Sequence, residues 1–142
     1  VFRGFSAYYC HNTYVAQVLD LVKAEQGFKI KKIWCAVDCG IVVNPDAARN
    51  QVEGNIMDGL GHALFGSISV KDGKPTSQNF NNYYLIRQKH APEDIQIDFV
   101  ENNIAPTGLG EPALPPIMGA YANAYYQATG KRLYQQPYDW FS

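Results

Sequence analysis

At 142 residues, with 46% apolar residues and a formal net charge of -1, the chain has the size of one ordinary domain and enough apolar material for a core. The near-neutral balance, with no basic run longer than Lys31-Lys32, excludes an electrostatic footprint for nucleic acid. No stretch approaches the roughly 20 apolar residues of a membrane span, and Val1-Phe2-Arg3-Gly4-Phe5 lacks the layout of a secretion signal.

The start without Met leads us to expect a segment of a longer polypeptide. Cys10, Cys35 and Cys39 are odd in number and carry neither redox nor zinc spacing, so reduced, mostly buried thiols are expected. Ten tyrosines include the adjacent pairs Tyr8-Tyr9, Tyr83-Tyr84 and Tyr125-Tyr126. One ring of each pair is expected to pack while the other faces water or a partner.

From the N-terminus, Phe2 to His11 reads as a strand, and Thr13 to Lys23 fits either a strand or a short helix. Ile30 to Asp38 alternates, with Ile33, Cys35 and Val37 on one face of a strand. Asn44-Pro45-Asp46 opens a helix that runs to about Phe65, with Asn44 as cap and Pro45 in the first helical position. Val52, Ile56, Leu60, Ala63 and Leu64 form its apolar side, and Gln51, Asn55, Asp58 and His62 a polar stripe. Gly54, Gly59 and Gly61 interrupt it. Each costs about 1 kcal/mol relative to Ala in a helix interior, which implies close packing against another backbone or a bound molecule.

Lys71-Asp72-Gly73 marks a hairpin between 67–70 and 74–80, Tyr83 to Gln88 reads as extended, and Ile95, Ile97 and Phe99 alternate as a further strand. Ile117 to Thr129 is a second helix that stops at Gly130, with Pro115 and Pro116 in its first turn. The tail Gln136 to Trp140 carries a large apolar residue in need of a partner. These elements make an α+β fold, a mixed sheet with two main helices, treated as one unit.

Between the last strand and the last helix lies Gly108-Leu109-Gly110-Glu111-Pro112. Its glycines permit close approaches, Pro112 biases Glu111 toward extended angles, and Glu111 is expected a few residues before the positive end of the following helix, if that end points toward it. The macrodipole would favour the ionised carboxylate, the form in which a general base works. Against this stands the plain role of bracing a turn. The second constellation joins Asp38-Cys39-Gly40 to Gln51-Val52-Glu53-Gly54, where a polar helix face could line a cleft or be merely solvated. His62 stands at helical spacing from Asp58, but His11 and His90 belong to unrelated segments, so no protein-ligated metal is expected. Neither a phosphate loop nor a nucleophile elbow is present.

Taken in order, Asp38-Cys39-Gly40, Asn44-Pro45, Gln51-Val52-Glu53-Gly54, Asn79-Phe80 with Tyr83, Gly108-Leu109-Gly110-Glu111-Pro112 and Asn123 through Arg132 resemble the C-terminal part of molybdenum hydroxylase large subunits. This is the xanthine dehydrogenase and aldehyde oxidase family, and within it the chain most resembles the isoquinoline 1-oxidoreductase beta subunit branch. The resemblance implies the C-terminal part, residues 1–142, of a molybdopterin-binding domain in an oxidoreductase that hydroxylates an N-heterocycle or aldehyde carbon with water-derived oxygen. It implies a molybdenum-pterin cofactor, as molybdopterin or its cytosine dinucleotide form, with no protein side chain on the metal.

Glu111 is then the catalytic base that takes the proton from the attacking hydroxyl, and Gln51, Gly54, Gly108 and Gly110 belong to the cofactor side. Implied partners are the remainder of the large subunit, an iron-sulfur small subunit that carries the clusters, and a small-molecule substrate. The isolated segment is expected to lack turnover. The competing expectation is an inactive stand-alone binding or assembly module that retains the fold.

Overall fold

Two long strands begin the chain in a computed structural model that describes residues 1–138. Phe2–Cys10 (β1) and Thr13–Lys23 (β2) pair antiparallel with Cys10 opposite Thr13, so only His11 and Asn12 form the turn. Their φ values of 52° and 60° are the left-handed pair of a two-residue hairpin, whose twist matches that of the strands. Residues 13–23, open between strand and helix in the sequence, are a strand. Thr13, Val15, Gln17 and Leu19 alternate into the interior, and the helical spacing of Val15, Val18, Leu19 and Val22 is coincidental. An irregularity at Asp20/Leu21 shifts the register, and both residues are buried, Asp20 gripped by the Arg3 guanidinium at 2.7 and 2.8 Å.

Phe28–Asp38 (β3) continues the antiparallel sheet and sends Ile30, Ile33, Cys35 and Val37 to the same interior. Burial pushes the Cys35 thiol pKa up to about 11, and a hydrogen bond from Gln17 opposes this. The chain then makes Pro45–Leu64 (α1), the small hairpin Val70–Lys71 (β4) with Lys74–Pro75 (β5), and a 3-10 turn at Gln88–His90. It returns as Asp94–Phe99 (β6), parallel to β3, which gives the sheet order β1-β2-β3-β6. Leu114–Thr129 (α2) closes the structure. Both helices cover one face of this sheet, where Leu19, Ile33 and Val37 meet Val52, Ile56, Leu60, Ile117 and Tyr121, all fully buried. Each such aliphatic side chain contributes about 1.5–3 kcal/mol on leaving water.

The α+β arrangement with two main helices is thus present, and the caps follow the sequence. Asn44 Oδ1 accepts from the Ala47 N–H at 3.0 Å, and Gly130 ends α2 at φ 73° with its N–H on Tyr126 O. Several details differ. The second helix begins at Leu114, so both prolines lie inside its first turn, where their missing N–H groups would have had no helical acceptor. The Asp72-Gly73 turn forms, but the strands beside it are two residues each, and residues 83–87 pair with no strand. Asn55 leaves the polar stripe of α1: its side chain is buried and Nδ2 has no hydrogen-bond partner among the described residues.

Gly59 lies against Leu114 O and Gly61 against Ile86, whereas Gly54 faces open space instead of a packed neighbour. Tyr125 is buried and Tyr126 half-buried, whereas Tyr8 and Tyr9 are both exposed, and so is Tyr84. Cys10 is only partly buried, unlike the other thiols. In the tail, Tyr138 stacks on Tyr121 with centroids 5.9 Å apart, while Trp140 lies outside the described residues. No helix among them is long and apolar enough to cross a membrane.

Gly4 shows how closely α2 rides on β1: a Cβ there would stand 1.9 Å from Ala120 O and 2.4 Å from Ala124 N. Gly4→Ala should lower the unfolding free energy by about 1–3 kcal/mol, read from the urea midpoint, because the helix backbone must move to admit one methyl group. His90 packs on Phe65, with ring centroids 4.7 Å apart, and burial, followed by the charge of Lys89, lowers its pKa from 6.5. The unfolded chain therefore binds this proton more readily than the folded one. This contribution to stability is complete above the unfolded value of 6.5 and declines as pH falls below it. Melting curves should shift downward between about pH 7.5 and pH 5, and the shift should shrink in His90→Phe.

Candidate active site

The loop that carries Glu111 is placed by backbone pairing that outlasts the strands. Beyond β6, the Val100 N–H donates to Val37 O and the Thr107 N–H to Cys39 O, each at 2.9 Å, while Ile104 O accepts from the Ile41 N–H at 2.9 Å. The segment reaches the β1–β2 turn, where the Gly108 N–H donates to His11 O at 3.1 Å. Two glycines make this route possible. Gly40, at φ 72°, would put a Cβ 2.4 Å from Ala105 O, and a Cβ on Gly108 would lie 2.6 Å from that of His11. The Asp38-Cys39-Gly40 motif is explained here: Gly40 admits the passing loop, and Asp38 Oδ1 accepts from Asn102 Nδ2 at 2.7 Å.

Side chains of β2 hold the loop from beneath. The buried Thr13 hydroxyl donates to Gly108 O at 2.6 Å and lies 2.7 Å from the Thr107 hydroxyl. Having one proton, Thr13 must accept from Thr107 in the second contact. Gln17 Nε2, also buried, donates to Ala113 O at 2.8 Å. Glu111 O then accepts from the Leu114 N–H at 3.0 Å as α2 begins. The backbone of Glu111 therefore braces the turn, which frees its side chain for something else.

That side chain meets His11. Nε2 and Glu111 Oε1 stand 2.9 Å apart, with side-chain exposures of 57% and 69%. As a carboxylate Glu111 can only accept, so Nε2 carries the shared hydrogen. The hydroxyl pKa of nearby Tyr8 is raised, first by the charge of Cys10, then by a hydrogen bond with Cys10 and by burial, and last by the charge of Glu111. His11 was not legible as a partner of Glu111. Cys10-His11-Asn12-Thr13, between two β runs, is a usable turn signal, but it does not say what the turn faces.

Gln51 crosses to the same loop, its Nε2 donating to Gly110 O at 2.6 Å. The helix and the glycine loop singled out in the sequence are thus joined. Of the five residues assigned to a site, Gln51, Gly108, Gly110 and Glu111 come together, and Gly54 follows Gln51 by one turn of α1. A cleft of about 310 Å3 opens between the start of α1 and residues 106–109, lined by Asn44, Gln51, Thr107 and Leu109 among others. A Cβ added at Gly54 or Gly110 would meet nothing within 4 Å, and Gln51 Oε1 has no partner among the described residues. Bare backbone beside an available carboxamide oxygen suits a flat, polar heterocycle such as a pterin.

Residues 3–92 match the molybdopterin cofactor-binding domain family. The chain belongs to that family. It is 34% identical over 128 residues to the isoquinoline 1-oxidoreductase subunit beta of Brevundimonas diminuta, covering 89% of this chain and 16% of that one. It is 37% identical over 107 residues to a membrane-bound aldehyde dehydrogenase (pyrroloquinoline-quinone) of Gluconacetobacter polyoxogenes, over 75% of this chain and 14% of that one. Among solved structures, the reconstituted CO dehydrogenase from Oligotropha carboxidovorans shares the fold with a TM-score of 0.75, at 20% identity, over 90% of this chain and 17% of that one. The chain thus spans about a sixth of the length of these relatives. The resemblance drawn from the spaced motifs is correct at the level of family, including the molybdenum-pterin cofactor that defines it. The family match ends before Glu111, so the glutamate loop rests on its own geometry.

Thr13 is the residue on which that geometry can be tested without touching the loop. Thr13→Val removes a buried donor and strands Gly108 O. The expected cost is about 1–3 kcal/mol of stability, together with faster hydrogen exchange at the Gly108 amide.

Proposed function

We propose that the chain is the C-terminal segment, residues 1–142, of a molybdenum hydroxylase large subunit. In this reading it supplies the proton-accepting glutamate to an oxidoreductase that hydroxylates an N-heterocycle or aldehyde carbon with oxygen from water. The observation that carries the reading is the joining of Gln51 to Gly110 beside an exposed Glu111 carboxylate. Each of these residues has a separable task. Gln51, Gly54, Gly108 and Gly110 form the part of the cofactor cradle that lies in this segment.

When bound, the molybdenum-pterin group supplies the two-electron redox chemistry. Glu111 accepts the proton released as the water-derived hydroxyl forms its bond to carbon, a role worth about 10²–10⁴ in rate for a positioned acid or base. His11 holds Oε1 from the side of the β1–β2 turn, which leaves the second carboxylate oxygen to take the proton. The buried Thr13 and Gln17 side chains keep the loop from drifting, and drift of about 1 Å is enough to cost about 10²-fold in rate.

The rest of the large subunit has a surface to meet. The face of the sheet opposite the helices exposes Phe5, Tyr9 and Tyr14, an apolar area of the kind that marks an interface. The same face would serve the competing reading, an inactive module that docks a partner, and Glu111 on its constrained loop favours the enzyme. An iron-sulfur small subunit completes the proposed assembly by taking the electrons, and the segment alone has no turnover.

The decisive variant is Glu111→Gln in the full-length enzyme, which keeps size and hydrogen bonding but removes the basic oxygen. Turnover should fall by about 10²–10⁴ with molybdenum and pterin content unchanged. Undiminished turnover would refute the assignment of the base, and absence of molybdenum and pterin from the wild-type holoenzyme would refute the cofactor reading itself.

A further inference from the structure

The β1–β2 turn brings a second donor beside His11. The thiol of Cys10, the imidazole of His11 and the carboxylate of Glu111 each offer a ligand atom, and these atoms all lie within 4.8 Å of one another. We propose that Cys10, His11 and Glu111 form a zinc-binding site at the tip of the β1–β2 hairpin. Zinc bonds of about 2.3 Å to sulfur and about 2.0–2.2 Å to nitrogen and oxygen place tetrahedral donors roughly 3.3–3.8 Å apart. The cluster therefore needs only side-chain adjustment to close on an ion.

The donor set selects the metal. A thiolate and an imidazole beside one carboxylate suit zinc, whereas magnesium and calcium require oxygen cages that this cluster lacks. Cys35 and Cys39 are buried in the core, so Cys10 is the most accessible thiol. Asp20, Glu93 and Asp94 already have cationic partners in Arg3, Lys29 and Lys32. At the hairpin tip Glu111 has the imidazole of His11 as its partner, with the Cys10 thiol beside them. Three protein donors leave a fourth position open to water.

The site rests on these atoms alone and stands whether or not Glu111 is a catalytic base. If it is, the two uses of the carboxylate exclude each other, and zinc at the hairpin tip inhibits turnover.

Titration of the purified protein with cobalt(II), a coloured substitute for zinc, should give one ion per chain and a thiolate-to-cobalt charge-transfer band that added zinc abolishes. Replacing an outer partner of a zinc ligand typically costs about 10–100-fold in affinity, so losing a direct ligand in Cys10→Ser, His11→Ala or Glu111→Gln should cost at least as much. Zinc should also protect Cys10 from alkylation in the wild type. His11 and Glu111 are exposed and Cys10 only partly buried, so each variant should fold, and circular dichroism checks this. A cobalt spectrum without the thiolate band, or affinity unchanged in both His11→Ala and Glu111→Gln, would overturn the site.

Discussion

The contact between the backbone of Gly108 and the β1–β2 turn is the constraint on which the rest of the site depends. A loop can be held against a hairpin tip only if nothing projects between them, and the 2.6 Å from a notional Gly108 Cβ to that of His11 leaves no room for a side chain. With that gap closed, the Gly108 N–H reaches His11 O, the Thr13 hydroxyl reaches Gly108 O, and Glu111 emerges three residues later opposite the imidazole. Move Gly108 outward and each of these bonds lengthens together.

The arrangement separates rigidity from reactivity. The groups that fix the loop, Thr13 and Gln17, are buried and bond to backbone carbonyls, where a missing partner is heavily penalised. The groups that can do chemistry, His11 and Glu111, stand at the surface, where their mutual attraction is worth at most about 1 kcal/mol. That pair orients a carboxylate without contributing much to folding. A substrate or an ion can therefore displace one partner from the other at little energetic expense.

Much of this was legible in the chain itself, and the reasons for the remainder are physical. Alternation located the strands at 30–38 and 95–99, and Asn44-Pro45 located a helix start, because these signals are local. Thr13 to Lys23 was undecided because its valines and leucines satisfy both periods, and only pairing with two neighbours settles it. Asn55 was misplaced because a wheel records direction but not which neighbour covers it. Glu111 announced itself through its glycines and proline. Its partner His11 is 100 residues away, and no local pattern encodes such a meeting.

The parallel pairing of β3 with β6 has a further consequence, for the order in which the molecule assembles. Lys32 lies beside Asp94, so the connection between them must close about 60 residues before a single ladder bond forms, whereas the β1–β2 hairpin closes around two. Contacts of such high sequence separation form slowly and reward the chain late. The loop bearing Glu111 hangs from the end of β6, and it cannot settle on the hairpin until that strand is seated. The geometry around Glu111 is thus a late product of folding, and a newly made molecule will look native by its hairpin and helices before this loop is in place.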